Sequence, residues 1–229
     1  MRRPPQNVLE IPNYAPVEVV RYFHIPFSKL ERWTSGDRKT ALIRLTPGRV
    51  PLISFKNLVE FYVLEGLREV HGVKASNIRS ALAYMLNSGK SKHPFADYEI
   101  RTDDRDVWFF ENGQPVNASQ WGQRAFDAIV GPYLKRVIRN QQGFAQTIFP
   151  FTKKEQMKAQ TDPGSVVEID PKKCFGLPVL VGSRITTPFL AGRWRGGESV
   201  PAIAHSYGRS VAEIKEAIEW EVGKEIKAA

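Results

Sequence analysis

Ser199-Val-Pro-Ala-Ile-Ala-His-Ser-Tyr-Gly-Arg-Ser-Val-Ala-Glu-Ile-Lys-Glu-Ala-Ile218 carries the spacing of a helix-turn-helix. Such a unit needs a small residue where its helices cross. Four positions on it needs a residue that tolerates a left-handed turn, and six beyond that an apolar anchor on the second helix. Ala204, Gly208 and Ile214 meet all three requirements. Ser199 and Ser210 stand where N-caps belong, and Ile203, Val211 and Ile218 are expected on the inner faces. Immediately upstream runs Ser165-Val-Val-Glu-Ile-Asp-Pro-Lys-Lys-Cys-Phe-Gly-Leu-Pro-Val-Leu-Val-Gly-Ser-Arg-Ile185. Its glycines suit turns, and Pro178 and Ile185 suit a short strand pair leading into the helices.

The same spacing recurs near the N-terminus as Val20, His24 and Leu30. His24 stands where glycine is easiest, and histidine is one of the few other residues enriched at positive φ. Pro16 and Pro26 fit the first turns of the two helices. On the second helix Ser28, Lys29 and Arg32 are candidate contacts to phosphates or base edges, with Arg38 and Lys39 beyond it. Two β-like runs, Leu42–Leu45 and Pro51–Ile53, flank the turn-forming Thr46-Pro-Gly-Arg and read as a wing, with Arg44 and Arg49 placed to reach the DNA backbone or minor groove. In the rear unit Arg209, Ser210 and Lys215 offer a second set of contacts to DNA or protein, opposed by the charges of Glu213 and Glu216.

Between the units, Ser54 is a plausible N-cap for a helix to about Val70, with Phe55, Leu58, Val59, Tyr62 and Val63 on one stripe. His71-Gly72 ends it, and a further helix from about Ser76 carries Ile78, Leu82 and Met85. Residues 98–117 read as a hairpin system with Asn112-Gly113 as its tight turn, and Trp121 to Val137 as helix. The polar stretch up to Gly164 reads as a linker, which puts a boundary near residue 155. The expected fold is α+β and mainly helical. Residues 1–155 would form a winged helix-turn-helix with added helices and a β-hairpin, and 156–229 a small helix-turn-helix domain.

At 229 residues with 42% apolar and 25% charged side chains, the composition is that of a globular protein. No stretch approaches the roughly 20 apolar residues that cross a bilayer, and nothing apolar follows Met1-Arg-Arg-Pro-Pro, so neither a membrane span nor a secretory leader is expected. The single cysteine, Cys174, excludes an internal disulfide framework and fits a cytoplasmic protein. A net charge of +9 favours a polyanionic partner.

Catalytic chemistry finds little support. Asp103, Asp104 and Asp106, interrupted by Arg105, fall around a hairpin turn and read as solvated acids. His24, His71, His93 and His205 show no metal-ligand spacing. Cys174 has no base beside it in sequence, and Gly192, Gly196 and Gly197 lack the ending of a phosphate loop. No enzyme, metal or cofactor is expected.

Tyr14-Ala-Pro-Val-Glu-Val-Val-Arg-Tyr-Phe-His-Ile-Pro-Phe-Ser-Lys-Leu-Glu-Arg-Trp33, the wing segment and Val70-His-Gly-Val-Lys-Ala-Ser-Asn-Ile-Arg-Ser-Ala-Leu82 together resemble a MerR-type winged helix, with His24 departing from its usual glycine. Ile169-Asp-Pro, Gly176-Leu-Pro-Val, Gly182-Ser-Arg-Ile and the helices after them resemble a small antitoxin-associated domain of unknown function. In this order the two resemble the larger VapB-type antitoxins, over nearly the whole chain. The resemblance implies a cytoplasmic antitoxin that binds a PIN-like ribonuclease toxin and represses its own operon by binding double-stranded operator DNA. Gly176, Pro178, Gly182, Arg184 and Ile185 would be signature positions, Arg184 serving either as a contact or in a structural salt bridge.

A two-fold operator asks for two recognition helices about 34–36 Å apart, and hence a homodimer. The helix from Ser54 and the aromatics of Trp108-Phe-Phe are candidate dimer surfaces, with ordinary core as the rival reading. The front unit is the expected reader of DNA and the rear the expected contact for toxin or dimer. A ligand-responsive transcriptional regulator without a toxin is the alternative function, and it calls for an apolar pocket within residues 93–150.

Overall fold

The computed structural model describes residues 7–36, 41–45, 52–89, 91–102, 106–111, 114–119, 123–124, 136–141, 143–152 and 164–223. A 3-10 turn over Val8–Glu10 leads into β1 (Pro12–Tyr14), followed by α1 (Pro16–Tyr22) and α2 (Phe27–Thr34). β2 (Ile53–Ser54) opens directly into α3 (Phe55–Glu65). The Ser54 hydroxyl accepts from the Asn57 amide at 3.2 Å, the N-cap its position called for.

Helix α3 is the axis of the molecule. Every residue from Phe55 to Glu65 is buried, including Lys56, Asn57, Glu60 and Glu65. A one-sided stripe was the expectation; elements pack around the whole circumference instead, so its polar residues need partners inside the protein. The helix ends in a wider π-type turn over Gly66–Val70 and stops at Gly72, whose φ is +63°. The single turn α5 (Pro94–Asp97) packs beside it, and α4 (Ala75–Asn87) packs on α5.

The hairpin system forms as expected and extends further. β3 (Ile100–Thr102), β4 (Val107–Glu111), β5 (Gln114–Asn117) and β6 (Gln123–Arg124) make an antiparallel sheet in that order. Glu111 faces Gln114, the register a two-residue connection at Asn112-Gly113 dictates, although those two residues lie outside the described set. The helix expected over Trp121 to Val137 is overturned at both ends that can be seen. Gln123–Arg124 is strand β6, paired to β5, and Val137 opens β7 (Val137–Arg139), which pairs with β8 (Ala145–Ile148). Sheet pairing overrides the local pattern there; Trp121 and residues 125–135 are outside the described set.

The wing is also revised. Leu42–Leu45 forms no strand, because the Leu42 and Ile43 amides both bond to the Trp33 carbonyl, at 3.0 and 2.9 Å, closing the end of α2. The expected partner strand pairs with β1 instead: Pro12 faces Ser54 and Tyr14 faces Ile53. Thr46 to Arg49 lies outside the described residues.

The rear segment holds β9 (Val167–Glu168) antiparallel to β10 (Val179–Leu180), then α6 (Thr187–Arg195), α7 (Val200–Tyr207) and α8 (Val211–Val222). Of the stretch read as a linker, which ends at Gly164, residues 153–163 are outside the described residues, but contacts cross on both sides of them. Ile148 and Ile169 exchange backbone hydrogen bonds of 3.0 and 2.9 Å, and Thr152 bonds to Glu216. A single apolar cluster takes in residues from Tyr14 to Trp220.

Candidate functional site

Both helix pairs form, with a positive φ at the turn position that each spacing marks. In the front pair α1 gives way to α2 at His24, whose φ is +52°, and the Ile25 amide bonds to the Val20 carbonyl at 3.1 Å. In the rear pair α7 ends at Gly208, φ +60°. Ser199 and Ser210 cap α7 and α8, and Glu213 accepts from the Ser210 amide at 3.0 Å to complete a capping box. Leu30, Ile203, Ala204, Ile214 and Ile218 are buried as expected, whereas Val211 is exposed.

The side chains singled out for contacts divide sharply. Ser28 and Arg32 are exposed on α2. Lys29 is not: its ammonium lies 3.1 Å from Glu65, 2.8 Å from Glu69 and 5.7 Å from the centre of the Trp33 ring. That charge ties α2 to the end of α3. The Glu69 carboxyl is held below its usual range by the Lys29 hydrogen bond. Arg44 is half-buried, with its carbonyl accepting from Asn57 at 3.0 Å. Arg38, Lys39 and Arg49 lie outside the described residues.

In the rear pair Arg209 reaches the Val181 carbonyl at 3.3 Å and Glu213 at 3.6 Å, Lys215 sits 3.7 Å from Glu219, and the Ser210 hydroxyl is used in its cap. Arg184 is exposed and makes no salt bridge among the described residues; its carbonyl meets the Cys174 thiol at 3.5 Å.

The two pairs are locked together. Tyr22 of α1 stacks on Trp220 of α8, ring centroids 5.2 Å apart and 15° from parallel, and Arg21 lies 3.2 Å from Glu221. Glu221 also accepts from the Thr187 hydroxyl at 2.6 Å; burial pushes its carboxyl above the usual range, with Thr187 and Arg21 working against that. The contact uses α1 and the far end of α8, so the exposed side of α2 stays open.

A polar network, invisible in the spacing of the sequence, joins the exposed Glu10 of the N-terminal turn to buried residues of α3 and to α5. Lys56 lies 2.8 Å from Glu10 and 3.1 Å from Asp97, which also accepts from Ser91 at 2.6 Å. Glu60 accepts from Asn57 at 2.9 Å and lies 3.2 Å from His93 Nδ1. Burial pushes the Glu60 carboxyl up. Burial would lower His93, but the Glu60 hydrogen bond and charge outweigh it and raise the imidazole. The two shifts share a direction for different reasons: burial raises Glu60 against the pull of His93, whereas Glu60 itself raises His93.

Asp106 corrects another expectation: it is buried, not solvated, and accepts from Asn117 at 2.9 Å and Asn77 at 3.3 Å. Asp103 and Asp104 lie outside the described residues. Among the described residues no cluster of histidine, cysteine and acidic side chains could hold a metal, and no helix is long and apolar enough to cross a membrane. Of the surfaces suggested for a dimer, α3 is enclosed and Trp108 and Phe109 are buried, while Phe110 is half-buried.

Residues 167–220 match the model of a protein family of unknown function, DUF433. A Mycobacterium tuberculosis protein named "Putative antitoxin VapB45" is 26% identical over 236 residues, covering 92% of this chain and 94% of the relative. The uncharacterized protein Rv2308 of the same organism is 24% identical, covering 93% and 92%. The crystal structure of Rv2018 from M. tuberculosis matches with a TM-score of 0.65 at 20% identity, over 92% of this chain and 99% of that one, which shows a shared fold.

Proposed function

We propose that this chain is the DNA-binding antitoxin of a toxin–antitoxin pair, which neutralises a PIN-like ribonuclease toxin by direct binding and represses its own operon as a homodimer. The observation that carries the reading is the coincidence of two things. The chain is similar over 92% of its length to a relative with an antitoxin name, and it holds two helix pairs with left-handed turns at His24 and Gly208, where helix-turn-helix spacing places them.

Of the two, α2 is the better reader of DNA. Its exposed face offers Ser28 and Arg32, and its N-terminus, capped by Pro26 without a side-chain acceptor, leaves amide donors for a phosphate. On α8 the comparable cations are already matched by Glu213 and Glu219. Arg38, Lys39, Arg44 and Arg49 belong to the same proposed basic surface.

The test is a gel-shift titration on the DNA upstream of this chain's own reading frame. Arg32→Ala is expected to weaken binding and to reduce the salt dependence by about one counterion. Equal titration curves for the two proteins would remove α2 from the interface. Co-expression with the product of the adjacent reading frame is expected to relieve that product's toxicity.

A further inference from the structure

The turn between β9 and β10 holds an arrangement that folding alone does not explain. Cys174, Phe175 and Gly176 all have positive φ, at +44°, +59° and +82°. Glycine adopts such values freely, but a phenylalanine there is strained. Its ring recovers nothing inside the protein, being 90% exposed, and Leu177 beside it is 37% exposed. The conformation is nonetheless held from outside the turn. Asn13 donates to the Phe175 carbonyl at 2.6 Å, the Tyr14 hydroxyl donates to the Gly176 carbonyl at 3.1 Å, and the Cys174 thiol meets the Arg184 carbonyl at 3.5 Å.

We propose that Phe175, presented on this clamped turn and flanked by Lys172 and Arg184, is the anchor by which the chain grips its protein partner, entering an apolar pocket rimmed by carboxylates. This rests on the antitoxin reading and names the surface that engages the toxin. A rigid, pre-ordered aromatic costs little further entropy on binding, which is what makes such residues interface hot spots. Lys172 and Arg184 are exposed and hold no ion-pair partner among the described residues, so their charge is available to an acidic rim. Lys173 is matched by Glu168 at 2.7 Å, and Asp170 lies in the same loop. This mixed charge around an apolar tip suits a protein surface better than a phosphate backbone, which calls for a dense run of unmatched cations.

Phe175→Gly separates binding from folding, because glycine relieves the strained φ while removing the ring. The purified full-length chain and this variant are titrated with the product of the adjacent reading frame. Expected are an unchanged or raised thermal midpoint and about a 30-fold loss of affinity. Lys172→Glu with Arg184→Glu is expected to slow association and reverse its salt dependence. Undiminished affinity of Phe175→Gly, where the unaltered chain binds, overturns the anchor and leaves the antitoxin reading standing. No binding by the unaltered chain removes that reading and the anchor with it. A loss confined to operator DNA in gel shift, or a shift from dimer to monomer by light scattering, would reassign the ring to nucleic acid or to self-association and overturn the proposal.

Discussion

Tyr22 and Trp220 lie face to face, 5.2 Å between ring centroids, and this stack joins the first helix pair of the chain to the last. Both rings are buried, and the Arg21–Glu221 pair at 3.2 Å closes beside them. The reading of DNA proposed for α2 requires that its carrier hold it at a fixed angle to the rest of the protein. The stack, the ion pair and the Tyr14–Gly176 hydrogen bond supply that restraint between the front and rear of this chain.

Truncating the indole therefore acts on the whole molecule. Trp220→Ala is expected to destabilise folding by about 3–5 kcal/mol through lost burial and the cavity left behind. Trp220→Phe is expected to cost only about 1 kcal/mol, because it keeps a stacking ring and the indole Nε1 is buried without a hydrogen-bond partner among the described residues. Urea denaturation compares the two; equal losses would show that the indole nitrogen, not the ring, holds the junction.

Lys29 and Arg32 stand three residues apart on α2 but are expected to fail in different ways. Lys29→Ala strips a cation from the buried Glu65 and from Glu69, at a cost of about 3 kcal/mol. Arg32→Ala, at an exposed position, is expected to change stability by less than about 0.5 kcal/mol and to act on DNA affinity alone. Melting curves beside gel shifts separate the two; a DNA defect in Lys29→Ala with an unchanged melt would return that lysine to the interface.

What the chain disclosed in advance follows from where its signals are local. The turn at His24, the caps Ser54, Ser199 and Ser210, and the left-handed Gly72 and Gly208 are each decided within a few residues, and each was legible. The pairing of β2 with β1 was not, since nothing near Ile53 specifies a strand some 40 positions earlier as its partner. Helix α3 misled in the same way: the stripe of Phe55, Leu58, Val59, Tyr62 and Val63 suggests one buried face, yet Lys56, Glu60 and Glu65 are buried too. Lys29 is the instructive case at the candidate site. A lysine on a presumed recognition helix reads as a phosphate contact, and only the fold brings Glu65 and Glu69 to it. The Glu60–His93 pair, 33 positions apart, left no motif to find.

That pair makes stability depend on pH. Both folded-state pKa values are raised, so between pH 4.5 and the raised values the folded protein binds more protons than the unfolded chain. The unfolding free energy is then expected to fall as pH rises through this window, and the contribution of His93 is fully present below its ordinary 6.5. Lys56 and Asp97 face the pair with opposite effects on the imidazole, Lys56 lowering it and Asp97 raising it. Urea midpoints measured from about pH 5 to about pH 8 should decline more steeply for the unaltered chain than for Glu60→Gln with His93→Asn. Parallel slopes would mean that the pair does not carry the linkage.

Gly176 links the rear turn to the front of the molecule through close approach as well as through its φ of +82°. A Cβ added there would collide with the Tyr14 hydroxyl, which donates to the Gly176 carbonyl at 3.1 Å. Gly176→Ala thus combines a disfavoured left-handed backbone with overpacking, and about 2 kcal/mol of destabilisation is expected. Gly182, also at positive φ but with open space where its Cβ would go, isolates the backbone contribution, so Gly182→Ala should cost about 1 kcal/mol. If the collision is what matters, Tyr14→Phe combined with Gly176→Ala should recover part of the loss in a denaturation midpoint, because removing the hydroxyl makes room for the methyl group. Additive losses in the double variant would show that the strain lies in the backbone alone.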